Sequence, residues 1–249
     1  MMEQSYTAVA TLYDRLNGPE IYQRFASRIC RLLRQKGIAD GLVLELACGT
    51  GTLARALSLE GYEMICCDSS VEMLSVAREK CQDLPVPPVF ICQDMRELDL
   101  YGTVRAAVCC LDSLNYLTDL DSLRDAVAGV SLFLEPGGVF IFDVKSKEMF
   151  RRMAGQSSVY EDGDCYCAWQ YGFDGRSGLA EHLVDLFLRQ EDGSYQRHQE
   201  AHYQRAYSQA QIQRVLEECD LALEGVYQDL SPRRAVEEQG RLLFVARKR

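Results

Sequence analysis

The chain has 249 residues, of which 47% are hydrophobic and 26% charged, enough apolar content for a full core. A net charge of -10 argues against a surface built for nucleic acid or anionic lipid, since both reward clustered lysine and arginine. No stretch approaches the roughly 20 apolar residues that cross a bilayer.

The first periodic stretch starts at Gly18. Ile21, Phe25, Ile29, Leu32 and Leu33 share one helical stripe, Pro19 suits the first turn and Gly37 the stop. Strands and helices then alternate. Leu42 to Ala47 reads as a short apolar strand, Thr52 to Glu60 as a helix closed by Gly61, and Tyr62 to Cys67 as a second strand. Ser69 or Ser70 caps the next helix, which turns Met73, Leu74 and Ala77 inward. After a turn rich in proline (Pro85, Pro87, Pro88) come strands Val89 to Cys92 and Val104 to Leu111. A helix with Leu123, Val127, Val130 and Leu134 on one face follows, ended by Pro136-Gly137-Gly138, and then strand Val139 to Val144. This alternation predicts a parallel sheet with helices on both faces.

From about Ser158 to Tyr207 the period becomes two. Cys165, Cys167, Trp169, Tyr171 and Phe173 alternate onto one face, and Asp174-Gly175 and Asp192-Gly193 supply turns, which predicts antiparallel strands. A helix from Gln209 to Cys219, capped by Ser208, and strands near Leu223 to Leu230 and Arg241 to Ala246 close the chain. The expected organisation is one α/β domain (residues 1–149 and 208–249) interrupted by a small antiparallel β layer (residues 150–207). Ligands of open α/β sheets sit beyond the carboxyl ends of the strands, so a layer leaving after Val144 is placed to roof the site.

The eleven cysteines are an odd number, and several lie inside apolar runs such as Ile65-Cys66-Cys67 and Val108-Cys109-Cys110-Leu111. They are expected to act as small hydrophobes, and with no basic-then-apolar leader at the N-terminus a cytoplasmic location is expected. Cys165 and Cys167 lack a second pair at zinc-like spacing, so no metal is expected.

The central chemical signal is Val43-Leu44-Glu45-Leu46-Ala47-Cys48-Gly49-Thr50-Gly51, in which Gly49 and Gly51 follow a strand and open a helix. Small residues there let a nucleotide-like ligand approach the backbone, although the glycines alone also fit a dinucleotide fingerprint. Glu45 separates the two readings. A carboxylate ending a buried strand is costly unless it meets a cation or donors; it would repel a pyrophosphate and suit the ammonium and sulfonium charges of S-adenosylmethionine, unless it merely turns to solvent and caps the loop. Asp68, after the second strand, stands where an acid accepts both ribose hydroxyls, and its removal is expected to leave the fold intact. Asp94 follows the third strand, placed to accept from the adenine amine while Met95 packs on the ring, with a plain helix cap as the alternative. Asp112, Ser113, Asn115 and Tyr116 follow the fourth strand at the mouth of the crevice, where Asp112 also suits an N-cap.

With these four groups after four successive strands, the sequence resembles the class I S-adenosylmethionine-dependent methyltransferases in ELACGTG, the acid of CDSS, QDM, LDSLNYL and LEPGG. Within that class it is similar to small bacterial methyltransferase-domain proteins of the glycine-sarcosine-methyltransferase-like kind, which carry an N-terminal tyrosine segment, here around Tyr6, and an antiparallel lid. The resemblance implies a Rossmann-like, seven-stranded, mostly parallel sheet whose last strand is antiparallel. It implies cofactor contacts by Glu45 and Gly49 at the methionine end and by Asp68 at the ribose, with Ala47, Cys48, Gly51, Ser69 and Met73 as further cofactor-binding residues. Asp94 and Met95 would hold the adenine, and Asp112 with Asn115 would line the methyl-transfer face. Ala47 departs from a more usual glycine, with only a small backbone adjustment expected.

The expected function is methyl transfer to a small-molecule acceptor, in line and with water excluded. The alternatives are an RNA or protein methyltransferase, or an NAD-dependent oxidoreductase, which Glu45 and the absence of a Tyr-x-x-x-Lys pair disfavour. Candidate catalytic residues are Tyr13, His202, Tyr203 and Arg205, with Tyr6, Trp169 and His182 as further neighbours of the acceptor. His182 shares a face with Val184, Leu186 and Leu188 and reads first as a packed core histidine. His202 lies on the opposite alternation from Tyr203 and Arg205, so only one set faces the ligand; Tyr203 and Arg205 are preferred for their polar tips. No base, acceptor or oligomeric state is legible.

Overall fold

In this computed structural model residues 13–235 and 239–249 are described. Helices α1 (Tyr13–Asn17) and α2 (Pro19–Gln35) precede strand β1 (Gly41–Leu46). Then come α3 (Thr52–Leu59), β2 (Tyr62–Asp68), α4 (Val71–Cys81), β3 (Val89–Cys92), β4 (Val104–Cys109), α5 (Leu120–Phe133) and β5 (Leu134–Lys145). Helices α4 and α5 start where short polar side chains satisfy their free N–H groups. The Ser70 hydroxyl accepts from the Met73 amide at 3.1 Å, and the Asp119 carboxylate from that of Ser122 at 2.7 Å.

After β5 the chain passes through α6 (Lys147–Met153) into β6 (Ser157–Asp162), β7 (Cys165–Asp174), β8 (Leu179–Arg189) and β9 (Tyr195–Arg205), and returns by α7 (Gln209–Glu218), β10 (Leu221–Gln228) and β11 (Arg241–Lys248). Strands β6 to β9 form a separate antiparallel sheet in chain order. The other seven form one sheet in the order β10-β11-β5-β4-β1-β2-β3, with only β11 antiparallel to its neighbours. The fold class expected from the sequence is thus the one observed.

The main sheet is buried on both faces, which is why its strands read as continuous apolar runs. Leu44, Leu46, Phe140 and Phe142 pack towards α5 and α7, while Val43, Val108 and Ile141 pack towards α2 and α3. The strand order reverses between β1 and β4, so a crevice opens beyond the carboxyl ends of β1, β2 and β4.

Two local expectations shift. The helix α5 ends at Phe133, and Pro136-Gly137-Gly138 lies inside β5 instead of terminating the helix. There a Cβ on Gly138 would sit 2.8 Å from the Glu135 carbonyl oxygen of the same strand and 3.1 Å from that of Arg105 on β4. Helix α6 escaped the sequence pattern because it has only 7 residues, of which Phe150 alone is buried. Among the described residues no helix is long and apolar enough to cross a membrane.

Candidate active site

The loop from β1 to α3 is held in an unusual backbone shape: Ala47, Gly49 and Gly51 all have positive φ, at 51°, 53° and 70°. The two glycines serve different ends. A Cβ on Gly51 would lie 2.9 Å from the Ala77 Cβ, so that glycine lets α3 enter against α4, not a ligand against the backbone. A Cβ on Gly49 would meet only the Tyr13 ring, at 3.8 Å, which leaves the crevice side open. Ala47 has no such freedom and carries the strain of a left-handed residue, where a small adjustment was expected. Replacing Ala47 with Gly is therefore expected to stabilise the protein by about 0.5–1 kcal/mol in urea unfolding. No gain would mean that the left-handed shape costs nothing here.

Asp68 holds this loop from below. Its carboxylate accepts from the Gly49 amide at 2.8 Å and from the Ser70 amide at 2.9 Å, and burial raises its pKa. The expectation that Asp68 is dispensable to the fold is thus corrected: it organises the glycine loop. From above, Asp14 of α1 accepts from the Thr50 and Thr52 hydroxyls at 2.6 and 2.9 Å and pairs with Lys80, which lays Tyr13 over Gly49. Arg15 next to it pairs with Asp162 of β6 at 2.5 Å, joining α1 to the second sheet. Tyr6 lies outside the described residues.

Glu45 is 4% exposed. Burial, with a smaller contribution from the charge of Asp68, pushes its pKa up to about 8. The Cys66 thiol donates to it at 4.0 Å, and among the described residues no lysine, arginine or histidine pairs with it. Such a carboxyl stays largely protonated near neutral pH and ionises only when a cation approaches it. Cys48 is buried beside it, with its thiol towards the Gly49 carbonyl oxygen at 3.8 Å; Met73 is buried on α4, and Ser69 is exposed.

At the end of β3, Asp94 caps a 3-10 turn (Met95–Glu97) and pairs with Arg96 through two contacts, at 2.9 and 2.5 Å. That pairing holds its pKa below the usual carboxylate value. Met95 is half-buried against the core on the α5 side.

The turn after β4 departs most from the sequence reading. Leu111 and Asp112 are both left-handed, at φ 59° and 56°. Buried Asp143 of β5 holds them there, accepting from the Leu111 amide at 2.7 Å and the Asp112 amide at 3.0 Å while pairing with Arg241. Asp112 in turn pairs with Lys145 at 2.7 Å and Arg241 at 2.8 Å, and accepts from the Gln204 amide at 2.9 Å. Burial alone would raise its pKa; the two cations outweigh it and hold Asp112 down at about 2. Asn115, 0% exposed, donates to the Arg205 carbonyl oxygen at 2.7 Å and accepts from the Lys145 amide at 2.9 Å. Asp112 and Asn115 were expected to line the methyl-transfer face, but their side chains are spent on joining β5, β9 and β11. Asp143, Lys145, Gln204 and Arg241 were missed altogether. An acid inside the apolar run Phe140-Ile141-Phe142-Asp143-Val144 was the available signal.

On the second sheet, the register pairs Tyr171 with His182 and His182 with His202, so these share the inner face with Trp169, Glu200 and Gln204. His182 packs against Tyr171 and Phe150 at ring distances of 5.1 and 6.0 Å, and burial lowers its pKa to about 4. His202 is fully buried, stacks on Trp169 at 5.9 Å, meets Tyr116 edge-on at 6.1 Å and lies 3.3 Å from the Glu200 carboxylate. Tyr203 is on the other face and 54% exposed, while the Arg205 guanidinium donates to the Thr118 carbonyl oxygen at 3.0 Å. The preference for Tyr203 and Arg205 is therefore overturned in favour of the His202 alternation.

Kinship settles the class. Residues 43–138 match the family described as methyltransferase domain. YqeM of Bacillus subtilis (strain 168), which bears a provisional methyltransferase name, is 32% identical over 246 residues, 98% of this chain and 97% of that protein. The chain belongs to the class I S-adenosylmethionine-dependent methyltransferases. The structure of an S-adenosylmethionine-dependent methyltransferase from Clostridium acetobutylicum superposes with a TM-score of 0.86 at 28% identity, covering 98% of this chain and 99% of the other. The dTDP-3-amino-3,4,6-trideoxy-alpha-D-glucopyranose N,N-dimethyltransferase of Streptomyces venezuelae is 31% identical over 143 residues, 57% of this methyltransferase and 58% of that protein. The enzyme's cofactor is S-adenosylmethionine, and the uncompensated carboxylate of Glu45 and the open side of Gly49 fit such a group. The oxidoreductase alternative falls away.

Proposed function

We propose that this methyltransferase acts on a small-molecule acceptor, held between the crevice and the second sheet, by in-line transfer. The observation that carries the placement is Glu45: a buried carboxylate raised to about 8, beside an open glycine, with its countercharge missing. In this reading the bound cofactor supplies an electrophilic methyl group, and the protein supplies position and dryness. Glu45 takes the ammonium of its methionine end, and Gly49 lets it approach the backbone. Both Asp68 oxygens accept from backbone amides and the carboxylate keeps further lone pairs, which suits ribose hydroxyls. Asp94 retains capacity on Oδ2 for the adenine amine, with Met95 beside it. Asp112 and Asn115 act from behind, fixing the turn that carries Tyr116 to the crevice mouth.

Residues 150–207 form the acceptor subdomain, and residues 1–149 with 208–249 the cofactor domain. Support for a small acceptor comes from the inner face of β7 to β9, whose aromatic rings suit a compact pocket, and from the net charge of -10, which disfavours RNA. The Streptomyces venezuelae relative is named for a small amino-sugar substrate. Eleven free thiols fit a reducing cytoplasm.

S-adenosylhomocysteine is expected to raise the melting temperature while NAD at equal concentration does not; linkage gives about 2.7 kcal/mol at a hundredfold excess over Kd. Equal stabilisation by NAD would defeat the site assignment. An acceptor screen on the same preparation, including RNA and protein substrates, then tests the acceptor class.

A further inference from the structure

The inner face of β6 to β9 has a marked charge bias. Among its described residues there is no lysine or arginine, whereas Glu200 is directed inward from the middle of β9, its side chain 11% exposed. Around Glu200 the same face presents the Trp169 ring, stacked on His202, and Tyr171 at 6.4 Å from Trp169. Tyr116, at the crevice mouth, closes against His202. The cations nearest this face are already engaged: Lys145 with Asp112, and Arg15 with Asp162. A phosphate or carboxylate brought under the sheet would meet the Glu200 carboxylate and, among the described residues, no lysine or arginine of this face. A cation would meet a carboxylate in a poorly solvated place and ring faces that attract positive charge.

We infer that Glu200, with Trp169 and Tyr116, forms the subsite for the acceptor's reacting nitrogen, and that the acceptor is an amine entering as its ammonium form, with no anionic group beside that nitrogen. This rests on the methyl-transfer reading of the crevice. An ammonium is not a nucleophile, so one N–H proton must leave first. It passes to the Glu200 carboxylate, which leaves the nitrogen lone pair free. His202, fully buried with its Nε2 3.3 Å from that carboxylate, is a positioning residue.

The test is calorimetric and needs no knowledge of the natural acceptor. Benzylamine, benzyl alcohol and benzoate, alike in shape and differing in charge, are titrated into the protein with and without saturating S-adenosylhomocysteine. Benzylamine is expected to bind at least about tenfold more tightly than benzyl alcohol, and benzoate not to bind. Glu200→Gln should erase that preference with S-adenosylhomocysteine affinity unchanged, while Glu200→Asp, which keeps the charge, should retain part of it. Benzyl alcohol or benzoate binding as well as benzylamine, no binding of benzylamine at all, or an undiminished preference in Glu200→Gln would overturn the subsite. Titration of S-adenosylhomocysteine alone reports separately on the crevice.

Discussion

Asp143→Ala is expected to cost about 3–5 kcal/mol of stability, a large share of the roughly 5–15 kcal/mol that a domain possesses. The carboxylate is 0% exposed and performs three tasks at once: it pairs with Arg241 and accepts from the backbone amides of Leu111 and Asp112. Its loss leaves two buried amides unsatisfied beside an arginine deprived of one of its two carboxylates. It also frees two left-handed non-glycine residues that those bonds help to hold. Asp143→Asn, which keeps one acceptor and the volume, should lose less. Urea unfolding decides the matter: a loss under about 1 kcal/mol for the alanine variant would mean that the turn holds itself.

Glu45→Gln should have opposite effects on stability and binding. A carboxyl group with an ordinary value of 4.5 when unfolded and about 8 when folded favours the native state in its protonated form. The stability it contributes is fully present below about 4.5 and is lost as pH rises through about 8, a swing of a few kcal/mol in the ligand-free protein. The glutamine variant should therefore be more stable than wild type at pH near 8, with the advantage fading towards pH near 4.5. His182, lowered to about 4 by burial, acts in the other direction over the acid range, so the difference between variant and wild type isolates Glu45. Parallel stability profiles for the two proteins would show that Glu45 is solvated after all. Affinity for S-adenosylhomocysteine, which retains the ammonium, should meanwhile fall by about 1.5–3 kcal/mol, the scale of a hydrogen bond to a charged group.

The architecture was legible because the parallel strands are apolar throughout and the helices between them carry caps and stripes. Strand β1 could be read from Leu42-Val43-Leu44, and the hairpins of the second sheet from Asp174-Gly175 and Asp192-Gly193. The glycine loop and Glu45 were visible as a local pattern. What stayed hidden depends on partners distant in sequence. Nothing near Asp112 announces Lys145, Gln204 or Arg241, so a buried anchor looked like a crevice-lining acid. The choice between the two faces of β9 turned on register. Ala180, His182, Val184 and Leu186 are the buried positions of β8, and the residues opposite them are Gln204, His202, Glu200 and His198, not Tyr203 or Arg205. A polar tip proved a weaker guide than the apolar face of the neighbouring strand.

The claim that Glu45 is the cofactor's counter-ion is tested most directly by titrating S-adenosylhomocysteine into wild type and Glu45→Gln near pH 7, in two buffers of different ionisation enthalpy. Wild type should release about one proton on binding, because a carboxyl with a pKa of about 8 must ionise to meet the ammonium. The glutamine variant should release none and bind at least about tenfold more weakly. Equal affinity with unchanged proton release in the variant would contradict the assignment of this crevice as built around Glu45.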